Sequence, residues 1–309
     1  MDSEFRYGFV SVIGRPNVGK STLINSLLGQ KVAAVTPKAQ TTRRRQFGIL
    51  TTDNAQIVFV DTPGIHTPRQ KLGKFLNQEA EGAIPGVDVV LFLVDVSVLP
   101  TEEDILIGTR LSRLARRTPL VLACNKVDLV PAEALTPHLE AYQALVPEDA
   151  QMIPISATKG NGLDALLQKL TELIPPGKPE YEPEVITDMY ERDIAAELIR
   201  EACLLKLRDE VPHGVAVRID EFTERQDESA YIAATIFVER ASQKGIVIGR
   251  GGEMLKRIGT AARKEIEEMS GRKVFLELRV KVLKDWRKDE NAMRRFGYKI
   301  DKKKRNKIF

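Results

Sequence analysis

Four short segments, in a fixed order over the first half of the chain, constrain its fold and chemistry more than any other feature. These segments are Gly14-Arg15-Pro16-Asn17-Val18-Gly19-Lys20-Ser21, Asp61-Thr62-Pro63-Gly64, Asn125-Lys126-Val127-Asp128 and Ser156-Ala157. Each of the first three directly follows an apolar run that is typical of a buried strand. Any one of them can occur in an ordinary turn, but their order and strand context together predict a nucleotide-binding switch.

The first segment has the pattern of a phosphate-binding loop. Its small residues let consecutive backbone N–H groups wrap the phosphates, and a helix is expected to begin after Lys20 and to add its N-terminus. Lys20 is predicted to lie on the β- and γ-phosphate oxygens and Ser21 on magnesium, with Thr22 beside the nucleotide. By itself this segment predicts only a nucleoside triphosphate.

The third segment determines which base is bound. The carboxylate of Asp128 can accept two N–H donors from guanine, whereas adenine lacks that donor pair and would leave a charge unpaired. The sequence therefore predicts GTP and GDP rather than ATP. Asn125 and Lys126 are expected to hold the phosphate loop and the base loop together. Ser156-Ala157, followed by Thr158, is expected to add a backbone donor to the guanine oxygen.

Two switch segments are predicted on either side of the second strand-like run. Asp61 is expected to order the magnesium shell, and Gly64 to donate its N–H to the γ-phosphate, so that loss of this phosphate releases the following loop. The first switch is predicted at Lys38-Ala39-Gln40-Thr41-Thr42-Arg43. We expect Thr42 to be its magnesium ligand, with Thr41 as the alternative.

Length and composition indicate two ordered domains in the cytoplasm. A chain of 309 residues is too long for one ordinary core, and its hydrophobic content of 43% supports globular folding. The most apolar region, Val87 to Leu99, is interrupted by Asp88 and Asp95, so no membrane-spanning helix is predicted. The acidic start at Met1-Asp2-Ser3-Glu4 lacks the basic segment of a signal peptide. Two cysteines and three histidines argue against a disulfide framework and against zinc.

The pattern changes at a proline-rich segment. Up to Ile174, strand-like runs alternate with helical segments, which predicts a doubly wound, mostly parallel α/β domain. Residues 175–183 contain four prolines, which favours an extended, semi-rigid linker. We therefore predict a first domain at 1–174, a linker at 175–184 and a second domain at 185–309.

The second domain contains a glycine-rich turn with the pattern GxxG. The predicted order is a helix at about 188–209, strands at 214–220 and 230–240, the turn at 246–252, a helix at about 253–269 and a strand at 274–283. Within the turn, Gly249-Arg250-Gly251-Gly252 would let a sugar-phosphate backbone approach closely, and the following helix N-terminus favours phosphate. Single-stranded nucleic acid is the predicted ligand, and a simple turn is the alternative.

Charge is distributed unevenly along the chain. Residues 279–309 hold 13 Lys and Arg against four Asp and Glu, a net charge of +9, whereas residues 1–278 sum to −5. The basic end, with its run Lys302-Lys303-Lys304-Arg305, is a candidate for binding a polyanion. A solvated tail that only aids solubility is the alternative.

These segments closely resemble the Era family of GTPases over nearly the whole chain. The matching residues are Gly14 to Thr22, Gln40 to Arg43, Asp61 to Gly64, Asn125 to Asp128, Val247 to Gly252, Ile258-Gly259, Ala262-Arg263, Lys281, Trp286 and Gly297-Tyr298. The resemblance implies a P-loop GTPase domain followed by an α+β type II KH domain. It implies binding to the 3′ end of small-subunit (16S) ribosomal RNA and a role in assembly of the small (30S) subunit. It further implies a mostly cytoplasmic protein that is sometimes found at the inner face of the cell membrane. We also expect a monomer.

One position raises a question about how hydrolysis is activated. Ile65 stands where Ras-type enzymes carry a water-orienting glutamine. Asn17 matches an asparagine that, in related GTPases without this glutamine, helps to bind potassium. The alternative is that Asn17 only shapes the loop.

The residue-level predictions fall into four sets. Lys20, Asn17, Thr42 and Gly64 are predicted to be catalytic. Ser21, Thr42 and Asp61 are predicted to bind Mg²⁺, and Asn17 to bind K⁺. The predicted nucleotide-binding residues are Gly14, Arg15, Pro16, Asn17, Val18, Gly19, Lys20, Ser21, Thr22, Asp61, Thr62, Pro63, Gly64, Ile65, Asn125, Lys126, Asp128, Ser156, Ala157 and Thr158. The predicted RNA-binding residues are Gly249, Arg250, Gly251, Gly252, Lys256 and Arg263.

Two other functions remain open at this stage. The chain can be chiefly an RNA-binding scaffold whose GTPase domain only reports the nucleotide level, and slow turnover that RNA does not change would favour this function. The second domain can instead be a protein-interaction or membrane-surface module, with the basic tail on anionic lipid.

Overall fold

The computed structural model describes residues 4–36, 38, 41–65, 70–114 and 118–298, apart from the side chains of residues 113 and 114. The predicted basic run Lys302 to Arg305, and Ala39 and Gln40 of the predicted first switch, lie outside these residues.

The strands are β1 (Arg6–Ile13), β2 (Gln46–Thr51), β3 (Ala55–Asp61), β4 (Val89–Asp95), β5 (Leu120–Asn125), β6 (Gln151–Pro154), β7 (Ala216–Glu224), β8 (Ala230–Val238) and β9 (Val274–Val282). The helices are α1 (Lys20–Leu28), α2 (Lys71–Glu81), α3 (Glu102–Leu114), α4 (Ala132–Gln143), α5 (Leu163–Leu173), α6 (Glu191–Lys206), α7 (Ala241–Ile248), α8 (Glu253–Ser270) and α9 (Glu290–Arg295).

The first sheet is doubly wound, as predicted. Its strand order is β2-β3-β1-β4-β5-β6, and only β2 runs antiparallel to its neighbour. One face is buried against α1 and α5, through residues such as Leu23 and Leu166. The other face is buried against α2, α3 and α4, through residues such as Ile107 and Tyr142. Because β1, β3 and β5 run in the same direction, their carboxyl ends bring the first three motifs to one edge of the sheet.

The proline-rich segment lies along the surface of the first sheet. The Tyr7 amide donates to the Pro175 carbonyl at 3.1 Å, and the Gly177 amide to the Phe5 carbonyl at 2.9 Å. The buried side chain of Gln56 accepts from the amides of residues 180 and 181, at 2.9 and 3.0 Å. The segment contains no helix or strand. These hydrogen bonds hold it in one path, so it is not a free tether.

The second sheet has three strands in the order β7-β8-β9. β7 and β8 are antiparallel, whereas β8 and β9 are parallel. Helices α6 and α8 cover one face and bury residues such as Leu198, Ile258 and Ile266. The element order is helix, strand, strand, helix, helix, strand, which is the type II KH arrangement that the resemblance implies.

The sequence prediction of this second domain was wrong in one element. Helix α7 (Ala241–Ile248) lies between the predicted strand and the glycine-rich turn and extends into the predicted turn, where we expected no helix. Its end, Ile246-Val247-Ile248, is β-branched and therefore resembles a strand, whereas contacts with the core hold it as a helix. Gln243 caps the start by accepting hydrogen bonds from the amides of Glu239 and Arg240. The helix predicted at about 188–209 is also shorter, at Glu191–Lys206.

Helix α2 of the first domain packs directly on residues 286–298 of the second. Leu72, Phe75 and Leu76 share a buried cluster with residues that follow β9. The cluster also contains Ala216, Phe237, Trp286, Ala292, Met293, Phe296 and Tyr298. The ring centroids of Phe75 and Tyr298 are 5.4 Å apart. The two sheets are therefore joined by a small apolar core of their own.

Within the described part of the chain, we find no helix with both the length and the apolar character that crossing a membrane requires.

Candidate functional site

Three side chains from separate elements converge at the carboxyl edge of the first sheet. The Ser21 hydroxyl lies 2.9 Å from the Thr42 hydroxyl and donates to Oδ2 of Asp61 at 2.8 Å. The Thr42 hydroxyl donates to the same carboxylate oxygen at 3.2 Å. Ser21 is the second residue of α1, Thr42 precedes β2, and Asp61 is the last residue of β3. The three residues predicted to bind magnesium are therefore in mutual contact.

The environment of Asp61 fits a cation. The residue is 1% exposed, and its Oδ1 has no hydrogen-bond partner among the described residues. Burial raises the pKa of this carboxyl above its usual value, although Lys20 and the hydroxyls of Ser21 and Thr42 oppose the rise. A hard cation with oxygen ligands would satisfy the free oxygen and favour the charged form. Two hydroxyls and a carboxylate suit Mg²⁺.

Lys20 lies beneath a loop of backbone groups. Its Nζ donates to the carbonyl oxygens of Gly14 and Arg15, at 3.0 and 2.9 Å. Burial lowers the pKa of Lys20 to about 8, and the neighbouring charge of Asp61 opposes that change. A Cβ on Gly64 would lie 2.5 Å from the backbone nitrogen of Pro16, so only glycine fits here. The second motif thus lies directly against the first.

These residues surround one cavity. Its lining includes Pro16, Asn17, Gly19, Lys20, Ser21, Thr22, Thr41, Thr42, Thr62 and Gly64. A hydrogen bond to β1 fixes the Thr62 side chain, since its hydroxyl donates to the Val12 carbonyl at 2.7 Å. The cavity is polar, and a cationic side chain and the N-terminal end of α1 lie at its wall. This arrangement is suited to phosphate.

Asn125 and Lys126 tie the phosphate loop to the base loop. The Asn125 amide donates to the Val18 carbonyl at 2.8 Å and accepts from the Ala157 amide at 2.9 Å. The Lys126 ammonium donates to the Asn17 carbonyl at 3.0 Å. Three of the four motifs are therefore connected by two side chains, as the sequence analysis expected.

Asp128 stands clear of these contacts. It lies exposed in a single turn at Val127–Leu129, where its carboxylate is accessible to a ligand. The neighbouring Ser156 and Ala157 are buried, and the Ser156 and Thr158 hydroxyls are 3.4 Å apart. Fixed backbone thus borders a solvent-accessible carboxylate, which is the arrangement a base pocket needs.

The two candidate threonines of the first switch have different partners. The Thr41 hydroxyl lies 2.7 Å from the Thr36 hydroxyl and donates to the Lys38 carbonyl at 2.7 Å. The Thr42 hydroxyl belongs to the cluster with Ser21 and Asp61. This difference supports Thr42 over Thr41 as a metal ligand.

Ile65 and Asn17 bear on how hydrolysis is activated. Ile65 is 3% exposed and belongs to the apolar cluster under α2 and α3, so it contributes no polar group to the cavity. Asn17 lines the cavity and has a φ of 66°, a left-handed conformation that asparagine tolerates better than most residues. Both the potassium hypothesis and the loop-shape alternative are compatible with that backbone.

Two carboxylates beside the phosphate loop were missed as site residues. Asp95 accepts from Lys126 at 2.6 Å, and Asp104 accepts from Nε of Arg15 at 3.0 Å. Burial alone would raise the pKa of Asp95, but the hydrogen bonds from Lys126 and Ser97 lower it below its usual value. The signal for Asp95 was present in the sequence, because it ends an apolar strand-like run. The side chain of Arg15, a residue that we predicted to contact nucleotide, pairs with Asp104.

The GxxG turn of the second domain is built from left-handed glycines. Gly249, Gly251 and Gly252 have φ values of 73°, 59° and 82°. A Cβ on Gly249 would lie 2.8 Å from the backbone of Met254, so a side chain is excluded there. Gly252 directly precedes α8, whose N-terminus therefore opens at the turn.

A groove runs from this turn between α8 and the edge strand β9. It is lined by Gly252, Leu255, Lys256, Gly259, Thr260, Arg263, Phe275, Leu276 and Leu278. Lys256 and Arg263, which we predicted to bind RNA, thus line this mainly apolar groove. The predicted loop and these two cations belong to one surface.

The residues that follow the first-switch threonine contact the second domain. Arg43 is 1% exposed and donates to the carbonyls of Val215 and His213, at 2.7 and 3.1 Å. Its guanidinium carbon is 5.7 Å from the centroid of the Trp286 ring. Arg44 donates to the Phe296 carbonyl and lies over the Tyr298 ring. The last residue of the predicted first switch, Arg43, and the residue after it are therefore part of the contact between the domains.

Fold and site together define a P-loop GTPase joined to a KH domain. Residues 9–126 match a family described as 50S ribosome-binding GTPase, and residues 210–287 match the KH domain family. GTPase Era of Ruminiclostridium cellulolyticum is 47% identical over 96% of this chain and 99% of its own length. GTPase Era of Geobacter metallireducens is 49% identical, also over 96% and 99%. The chain belongs to the Era GTPase family, and it is a GTPase.

Solved Era structures have the same fold. A crystal structure of Era in complex with MgGDPNP and nucleotides 1506–1542 of 16S ribosomal RNA superimposes with a TM-score of 0.90, at 39% identity, over 96% of this chain and 100% of that one. A variant of Aquifex aeolicus Era bound to GDP·AlF4⁻ superimposes with the same score, identity and coverage.

Proposed function

We propose that this chain is a magnesium-dependent GTP switch that binds the 3′ end of 16S ribosomal RNA through its KH domain during assembly of the small (30S) subunit. The division of labour follows the predicted boundaries: residues 1–174 bind and hydrolyse GTP, 175–184 connect, and 185–309 bind RNA. One observation carries the proposal. Thr42 lies in the candidate metal cluster, and the next residue, Arg43, is buried against the second domain.

The nucleotide half of the proposal is supported by the motif geometry. Lys20 and the backbone of Gly14 to Ser21 would hold the phosphates, Gly64 would donate its N–H to the γ-phosphate, and Asp128 would read the guanine edge. Ser21, Thr42 and Asp61 would hold Mg²⁺, which neutralises charge on the phosphates when it is bound. The Era structures with MgGDPNP and with GDP·AlF4⁻ contain ligands of this class.

The RNA half is supported by the GxxG turn and its groove. The glycines allow close approach, α8 presents its N-terminus, and Lys256 and Arg263 supply charge for phosphates. The Era structure with nucleotides 1506–1542 of 16S ribosomal RNA contains the ligand proposed here. We also propose a cytoplasmic monomer, with peripheral contact at the inner face of the membrane as a secondary location.

A direct test compares RNA binding in two nucleotide states. RNA with the sequence of nucleotides 1506–1542 is titrated with the full chain, loaded with a non-hydrolysable GTP analogue or with GDP. We expect tighter binding in the GTP-like state, by about 5- to 100-fold, because Thr42 can favour one placement of Arg43. Equal affinity in both states would support the scaffold function instead. If RNA does not bind at all while anionic vesicles do, the second domain is a membrane-surface module.

Ion dependence tests the proposed role of Asn17. We expect hydrolysis to be at least about tenfold faster in potassium than in sodium at equal ionic strength, since a well-placed cation can replace an arginine finger. Asn17→Gly is the informative variant, because glycine keeps the left-handed backbone but removes the side chain. It should abolish the difference between the salts. If Asn17→Gly keeps the potassium preference, or if the wild type has none, Asn17 only shapes the loop.

A further inference from the structure

We propose that Tyr231, Phe275 and Arg225 form a further surface on which RNA bases stack, which begins at Phe275 in the wall of the groove and extends beyond it. These three residues are called the aromatic stack below. The inference rests on the proposed RNA-binding function, since it adds a subsite to the same ligand. It was not apparent from the sequence, where Phe275 is far from Arg225 and Tyr231.

The two rings are held side by side by the sheet. Tyr231 on β8 is the register partner of Phe275 on β9. Their ring centroids are 5.8 Å apart and the planes differ by only 21°. The guanidinium carbon of Arg225 lies 5.4 Å from the Tyr231 centroid and 5.6 Å from that of Phe275. The two rings are therefore stacked on one another with the guanidinium over both, and Phe275, on the edge strand, is the outer member of the stack.

Hydrogen bonds fix this surface in place. The Tyr231 hydroxyl donates to Oε2 of Glu277 at 2.8 Å. Arg279 donates to the other oxygen of the same carboxylate, at 2.9 and 2.7 Å. The Tyr231 ring is thus oriented before any ligand arrives, and the charge of Glu277 is already matched by a cation. A prearranged surface binds with a smaller loss of side-chain entropy than a mobile one.

The exposure of Phe275 is what requires an explanation. It is 58% exposed, whereas Phe237 on the same face of the sheet is 9% exposed. Phe237 is covered by Phe296, at a centroid distance of 5.2 Å. The end of this face near the chain terminus is thus closed by the apolar core between the domains, and the end with the aromatic stack is open. An open, rigid aromatic surface is typical of a binding site.

Continuity with the groove identifies the ligand as single-stranded RNA. Phe275 lines the groove together with Lys256 and Arg263, and β9 is an edge strand, so a chain in the groove passes Phe275 as it leaves. Proteins that bind single strands combine cations along the backbone with aromatic rings under the bases. Arg225 over the Phe275 ring adds a third cation to the two that line the groove. Cations combined with an exposed ring favour a single-stranded nucleic acid over a protein partner.

Abasic RNA provides the test. Phe275→Ala and the wild type, both as full chains, are titrated with RNA of the sequence of nucleotides 1506–1542 and with copies that lack one base at each single-stranded position in turn. We expect Phe275→Ala to lose roughly 5- to 100-fold in affinity for intact RNA. At one or two positions, loss of the base should lower the RNA affinity of the wild type by a similar factor and leave the RNA affinity of Phe275→Ala unchanged. A merely structural role for Phe275 would not produce that pattern.

Three variants complete the design. Phe275→Trp should keep the affinity, whereas Phe275→Leu, which is apolar but has no ring, should lose most of it. Leu205→Ala removes another half-exposed apolar side chain, from α6, and should have no effect. The aromatic stack is refuted if Phe275→Ala binds intact RNA like the wild type, or if Phe275→Leu does. It is also refuted if every abasic RNA weakens binding by Phe275→Ala as much as binding by the wild type. Failure of the wild type to bind this RNA would instead refute the proposed function, and the aromatic stack with it.

Discussion

Asp128→Asn is expected to weaken GTP binding by roughly 10²- to 10⁴-fold, because two charge-assisted hydrogen bonds to guanine are lost. The same variant should gain affinity for xanthosine triphosphate, since the new amide can donate to the extra carbonyl of xanthine. Asp128 is exposed in its turn, so the substitution should not disturb the fold. Competition of unlabelled GTP, xanthosine triphosphate and ATP against a fluorescent GDP measures all three affinities.

Asp53→Asn is the matched control for this change. Asp53 is also exposed in a tight connection, between β2 and β3, away from the four motifs. It should leave the affinity for every nucleotide unchanged. The guanine assignment fails if the wild type binds ATP as tightly as GTP, or if Asp128→Asn binds GTP like the wild type.

The second large effect is expected at the GxxG turn. Replacing Arg250 and Gly251 together by Asp should weaken RNA binding by about 10²-fold or more, because two carboxylates would face phosphates at close range. A Cβ on Gly251 meets open space, and its φ of 59° is one that aspartate tolerates, so the turn should still form. Hydrolysis measured without RNA should stay at the wild-type rate, since the turn belongs to the second domain.

Gly271→Asp gives this experiment a control of the same geometry. Gly271 ends the same helix with a φ of 69°, and a Cβ there also meets open space. An 18-residue helix separates it from the turn by about 27 Å. Gly271→Asp should therefore bind RNA nearly as the wild type does. Wild-type affinity in the Arg250 and Gly251 variant would exclude the turn as the RNA clamp.

The nucleotide site was the most predictable part of the molecule. Its motifs are contiguous in sequence and follow apolar strands, so the parallel sheet alone brings them together at one edge. Ser21, Thr42 and Asp61 are in contact as that logic expects. Asp104 was not predictable in the same way, because its partner Arg15 is 89 residues away.

The second domain was predicted less well, for local and for tertiary reasons. Helix α7 ends in three β-branched residues, and only its packing on the core decides between helix and strand. The aromatic stack depends on the register of β8 and β9, which pairs Tyr231 with Phe275. Register is set by how whole strands dock, and no short pattern in the chain specifies it.

Thr42 and Arg43 are adjacent in the sequence, so the proposed coupling between the metal cluster and the second domain spans a single peptide bond. The Thr42 side chain belongs to the candidate magnesium cluster, and the Arg43 side chain is buried against His213, Val215 and Trp286. Communication between distant sites usually needs a series of residues with two alternative arrangements. In the proposed switch no residue lies between the two, because a single rigid peptide plane joins Thr42 to Arg43. Whatever rotates that plane is felt at both ends at once.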